Sequence, residues 1–112
     1  MSFETKKKNG VVILTVNQGR LDSDLSAELK TEILILVEQE IKNVLIDLSN
    51  VAYVDSSGLG ALLFGLRQLR ELRGTLKIVG ANSRITSLIR IAKLEQVLLN
   101  FEDEETALQS FQ

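Results

Sequence analysis

The chain has 112 residues, enough for one hydrophobic core and too few for two, so residues 1–112 are expected to form a single domain. Apolar residues make up 45% and charged residues 25%, which excludes a disordered chain, and the absence of Cys and His removes thiol nucleophiles, disulfides, the usual zinc sites and any Ser-His-Asp hydrolase. With 13 basic against 15 acidic residues the formal net charge is -2, so no global positive field draws the chain to nucleic acid or anionic lipid.

The first elements are two extended segments, Ser2 to Lys7 and Val11 to Val16. They flank Asn9-Gly10, the pair best suited to a turn that needs positive φ at both central positions, and a hairpin therefore opens the fold. Lys6, Lys7 and Lys8 at its end read as solvated protection of a sheet edge. No apolar stretch of the kind a signal peptide needs lies in Met1 to Lys8. The longest apolar runs, Val11 to Leu14 and Gly58 to Leu66, fall far short of the roughly 18–20 residues of a membrane span. A soluble, cytoplasmic protein without membrane insertion is the expectation.

Asp22 or Ser23 can cap a first helix whose buried stripe is Leu25, Leu29, Ile33, Leu36 and Val37. Leu34 and Ile35 fall off that stripe, and coverage by a neighbouring element is expected for them. Val44 to Leu48 is short, β-branched and apolar, as in a strand covered on both faces, with Asp47 at its solvent-facing end. A second short apolar stretch, Val51 to Val54, leads through Asp55-Ser56-Ser57-Gly58-Leu59-Gly60 into a helix patterned on Leu59, Leu62, Leu63, Leu66 and Leu69. Phe64 lies off its leucine stripe and is expected to meet another element. Gly74 closes this helix, and Thr75 to Val79 is the next strand, which makes the crossover parallel. Asn82 or Ser83 caps a third helix carrying Ile85, Leu88, Ile89 and Ala92, and Val97-Leu98-Leu99 returns to the sheet. Asp103 caps a last helix docked by Ala107, Leu108 and Phe111, with Glu104 and Glu105 at the positive end of its dipole. The sum is an α/β fold, a small mixed β-sheet with an N-terminal hairpin and then parallel strands, packed with about four helices.

The segment Asp55 to Gly60 departs most from packing logic, because it sets a carboxylate, two hydroxyls and two glycines where a strand gives way to a helix. The first turn of a helix has unpaired N–H groups and a positive dipole end, so a hydroxyl there can cap it and a phosphoester there is stabilised by the same donors. The bland reading is that Ser56 or Ser57 is an N-cap and the glycines permit a tight turn. Gly60 and Gly65 each cost the helix roughly 1 kcal/mol relative to Ala, which points to close backbone approach. Neither a Gly-x-Ser-x-Gly nucleophile elbow nor a P-loop is present, and no general base is suggested. Arg67, Arg70 and Arg73 follow one helix edge, but Glu71 interrupts them and aromatics make up 4%, so no nucleic-acid platform results.

Asp55-Ser56-Ser57-Gly58-Leu59-Gly60, preceded by Val44 to Val54, resembles the signature of the STAS domain, and specifically of bacterial anti-sigma-factor antagonists. Gly19-Arg20-Leu21-Asp22 is similar to the second landmark of that family, at the expected separation. The resemblance covers essentially the whole chain. It implies a non-enzymatic regulator with no cofactor, metal or catalytic residue, one that binds an anti-sigma factor with serine kinase activity. It further implies phosphorylation at Ser56, with Ser57 as the fallback, release of the partner on phosphorylation, and restoration by a phosphoserine phosphatase. Asp22, Asp55, Ser56, Ser57, Gly58 and Gly60 match the family positions around that site and are the expected partner-binding residues. An accessory subunit that grips the ATPase of an ABC lipid transporter is the alternative within the family. Monomer and homodimer are both open, with Leu34, Ile35 and Phe64 the candidates for an exposed apolar patch.

Overall fold

The structure is a computed structural model and describes residues 2–112. The hairpin forms as expected: β1 (Phe3–Lys8) runs antiparallel to β2 (Val11–Val16), and Asn9 and Gly10 take φ of 55° and 79° between them. A two-residue strand, β3 (Arg20–Leu21), then leads into α1 (Ser23–Glu38). β4 (Asn43–Asp47), β5 (Tyr53–Val54), α2 (Ser56–Glu71) and β6 (Thr75–Val79) follow. The chain ends with α3 (Ser83–Ile91), β7 (Asn100–Phe101) and α4 (Glu104–Gln109).

The main sheet has the order β1-β2-β4-β6-β7, with every pairing after the hairpin parallel. β3 and β5 pair separately as a small parallel sheet, which the sequence reading did not anticipate. Val11–Leu14 of β2 and Val44–Ile46 of β4 are uninterrupted apolar runs because both faces of the main sheet are covered. Val12, Leu14, Val44, Ile46, Leu76 and Ile78 face the larger core, built with α1, α2 and α3. On the opposite face Val11, Ile13, Leu45 and Val79 meet Ala107 and Leu108 of α4. Lys77 also lies on that face and ties α4 down, donating from Nζ to the Ser110 carbonyl at 2.8 Å and its hydroxyl at 2.9 Å. Partial burial lowers the pKa of that ammonium.

Several expectations need correction. Leu34 and Ile35 are not covered by a neighbour but stand 43% and 46% exposed on α1. Phe64 is only half-buried, with Lys30 Nζ 5.6 Å from its ring centre. Ala92 is exposed because α3 ends there, and the return to the sheet comes at Asn100–Phe101, after Leu98 has gone into the core. Gly74 does not supply the left-handed residue that ends α2; Arg73 does, with φ of 64°. Gly65 does mark a close approach, since a Cβ there would lie 2.6 Å from Ile33 Cδ1 and 2.8 Å from Leu76 Cδ1. At Gly60, where the same was expected, a Cβ would meet nothing within 4 Å.

Candidate functional site

The small β3–β5 sheet builds the site. Its register sets Arg20 beside Tyr53 and Leu21 beside Val54. The next residue of each strand is an aspartate, and each aspartate opens a helix. Asp22 stays extended (φ -99°, ψ -171°) and its Oδ1 accepts from the Leu25 amide at 3.1 Å. Asp55 does the same for α2 (φ -94°, ψ -176°), accepting from the Gly58 amide at 3.0 Å. Two helices therefore begin side by side, each with a carboxylate on its first amides, the arrangement that complements the positive end of a helix dipole. Asp55, not Ser56 or Ser57, is the N-cap of α2.

Gly58 makes this proximity sterically feasible. A Cβ at that position would sit 2.7 Å from the Leu21 carbonyl oxygen and 2.8 Å from Val54 Cγ1, so the first turn of α2 lies directly against β3. The Asp55 amide donates to the same Leu21 carbonyl at 3.3 Å. Ser26 of α1 and Ser57 of α2 approach with their hydroxyls 3.4 Å apart, joining the two opening turns.

The two serines of the motif have different fates. Ser57 donates its hydroxyl to Asp55 Oδ1 at 2.5 Å and is half-buried. That hydrogen bond, reinforced by the Gly58 amide, holds the Asp55 carboxyl below its ordinary pKa, with the Arg20 guanidinium adding to the effect. Ser56 takes no part in these bonds and is exposed at the first helical position. Ser56 thus presents an accessible hydroxyl, whereas Ser57 is a fixed support for the cap.

Gly60 lies one turn beyond Ser56 on the same helical face, half-buried and clear of any packing partner. Its absent side chain leaves that surface flat below the serine. Substitution Gly60→Ala is expected to raise stability by about 0.5–1 kcal/mol, the helix-propensity difference at a position with room for a methyl group. Urea melts of the two proteins check this, and a loss of stability would show that Gly60 is packed.

Four residues of this region, Arg20, Tyr53, Arg84 and Ile91, were not among the site residues expected from the sequence. Tyr53 is 39% exposed, and the guanidinium carbons of Arg20 and Arg84 lie 5.8 Å and 5.9 Å from its ring centre. Beyond Arg84, Ile91 stands 79% exposed on α3. Ile91 was recognisable in principle, because it falls off the Ile85, Leu88, Ile89 stripe; the convergence of Arg20, Tyr53 and Arg84 depends on how α3 returns past β5. Among the described residues there is no group of acidic side chains placed to hold a metal ion, and no helix is long and apolar enough to cross a membrane.

Comparison with known proteins places this geometry. The family model described as STAS domain matches residues 2–107. An anti-sigma-B factor antagonist of Staphylococcus epidermidis is 36% identical over 81 residues, covering 71% of this chain and 74% of that protein. Among solved structures, an anti-sigma-factor antagonist (STAS) domain protein from Planctomyces limnophilus superposes with a TM-score of 0.86 at 17% identity, covering 98% of this chain and 97% of that one. The Bacillus cell fate determinant SpoIIAA in its phosphorylated form superposes with a TM-score of 0.76 at 18% identity, over 98% of this chain and 99% of that one. The structural likenesses establish the fold, the family model and the staphylococcal relative establish the kinship, and the chain accordingly belongs to the STAS domain family.

Proposed function

We propose that this protein is an anti-sigma-factor antagonist working by partner switching in the cytoplasm. In its unmodified form it binds an anti-sigma factor that is also a serine kinase, and so frees a sigma factor for transcription. The kinase transfers the γ-phosphoryl group of ATP to Ser56: the serine oxygen bonds to phosphorus, the bond to the departing ADP breaks, and the hydroxyl proton passes to a base on the kinase. The chain contributes only the acceptor and is not itself an enzyme. A phosphoserine phosphatase returns it to the binding form.

The observation that carries this reading is the division of labour between the two serines. Ser57 is bonded to Asp55, whereas Ser56 is exposed beside a cap it does not serve. Asp22, Asp55, Gly58 and Gly60 form the partner-binding surface around it, two by charge and two by close approach or flatness. The names of the relatives, anti-sigma-B factor antagonists, support the same reading.

The test is affinity capture from a lysate of the source organism, with the protein and its Ser56→Asp variant as paired baits and mass spectrometry as the readout. Capture of a small serine kinase by the first bait and its loss from the second supports the proposal. Capture of an ABC ATPase by both baits overturns it and assigns the protein to lipid transport, with Ser56 a residue of the helix opening only.

A further inference from the structure

A groove of about 440 Å³ runs from the opening of α2 to α3, with Ser56 and Arg84 on its walls and Tyr53, Leu88 and Ile91 between and beyond them. Arg84 is exposed on the first turn of α3, with its guanidinium carbon over the Tyr53 ring at 5.9 Å from the ring centre. Among the described residues the ion pairs join Lys6 and Lys8 to Glu104, so Arg84 is in none of them. A guanidinium near an aromatic face and outside any ion pair keeps its N–H edges available, and those edges match the geometry of a phosphate.

We propose that Arg84 is the internal counter-ion of a phosphate on Ser56, drawing it across this groove toward α3. The inference rests on the reading of Ser56 as the modified serine. Phosphoserine carries about -1.5 to -2 charge and three acceptor oxygens, and the charged groups around Ser56 are unevenly placed to receive it. Asp55 caps the same helix and Asp22 caps the neighbouring one, so both repel it. Arg20 lies 5.8 Å from the centre of the same Tyr53 ring but lines a different hollow, beside Asp22, Asp24 and Glu28, and its charge already acts on the Asp55 carboxyl. Arg84 is the cation that shares a wall with Ser56.

Phosphoserine incorporated at position 56 during synthesis allows the proposal to be tested without any kinase. Phosphorus NMR then follows the second phosphate ionisation against pH, at low salt, in otherwise unchanged protein and in the Arg84→Ala, Arg84→Lys and Arg70→Ala variants. A nearby cation favours the dianion and lowers its pKa. Loss of Arg84 is therefore expected to raise it by about half a unit, the size of an exposed ion pair. Lys at position 84 is expected to restore part of the difference, because it keeps the charge without the planar fork. Arg70 lies in the last turn of α2, roughly 20 Å along the helix from Ser56, and its removal is expected to leave the titration unchanged. An unaltered pKa in Arg84→Ala, or an equal rise in Arg70→Ala, overturns the assignment. Failure of the capture experiment, by contrast, leaves this result standing as a property of the groove.

Discussion

Ser56→Asp is expected to lower affinity for the captured kinase by roughly a hundredfold or more while leaving the thermal midpoint nearly unchanged. Such a loss corresponds to about 2.8 kcal/mol, which one unpaired charge carried into a dehydrated interface supplies without any change of fold. The stability half of the expectation follows from the position. Ser56 is exposed and makes none of the capping bonds, and an acidic side chain in a first helical turn meets the positive end of the dipole. Ser57 provides the contrast: Ser57→Ala removes the hydroxyl that Asp55 accepts and the neighbour of Ser26, and is expected to destabilise the fold. Isothermal calorimetry with the kinase, beside thermal melts of both variants, reads the two effects separately. Equal affinities of the parent and Ser56→Asp would falsify the switch at this residue.

The parts of this molecule legible in the sequence are those governed by local chemistry. Asn9-Gly10 dictates its turn because few other pairs accept positive φ at both positions. Asp22, Asn82 and Asp103 cap their helices through bonds to the amide three residues on. At α1 and α3 the first of two candidates, Asp22 before Ser23 and Asn82 before Ser83, is the cap; at α2 the cap is Asp55, one residue ahead of the serines that the sequence offered. The choice is made by β5, whose register with β3 ends at Val54, so that Asp55, its amide still donating to the Leu21 carbonyl, is the residue that opens the helix. That two-residue pairing is itself a tertiary fact, joining segments some thirty positions apart, and no periodicity announces it. The site is divided in the same way. The serine motif and the Gly19-Arg20-Leu21-Asp22 landmark are visible in the chain, whereas Arg84 joins them only once α3 has packed against β5.

The helix ends were the least legible feature, and one of them leads to the largest expected stability effect. α1, α2 and α3 all finish alike. In α2 the Gly74 amide donates to the Leu69 carbonyl at 2.8 Å and the Arg73 amide to the Arg70 carbonyl at 2.9 Å; Glu40 with Ile41, and Lys93 with Leu94, repeat the pattern. Such endings need one left-handed residue, for which glycine is preferred, yet Glu40, Arg73 and Lys93 occupy it with φ of 62°, 64° and 61°. The glycine expected to serve this purpose, Gly74, sits one place later for a different reason. A Cβ there would lie 1.8 Å from the Lys42 carbonyl oxygen, and the Thr75 amide donates to that same carbonyl at 3.0 Å. The obstacle is backbone, held by the pairing of β4 with β6, and it cannot turn aside as a side chain would. Gly74→Ala is therefore expected to cost about 3 kcal/mol or more, a large share of the roughly 5–15 kcal/mol that holds an ordinary domain together. Arg73→Gly, its neighbour, is expected to gain about 1 kcal/mol by relieving a left-handed residue that carries a Cβ. Urea unfolding of the two variants, followed by circular dichroism, separates the roles: a neutral Gly74→Ala would mean that β4 and α2 can part without loss, and a destabilising Arg73→Gly that the Arg73 side chain, not its backbone, secures the end of the helix.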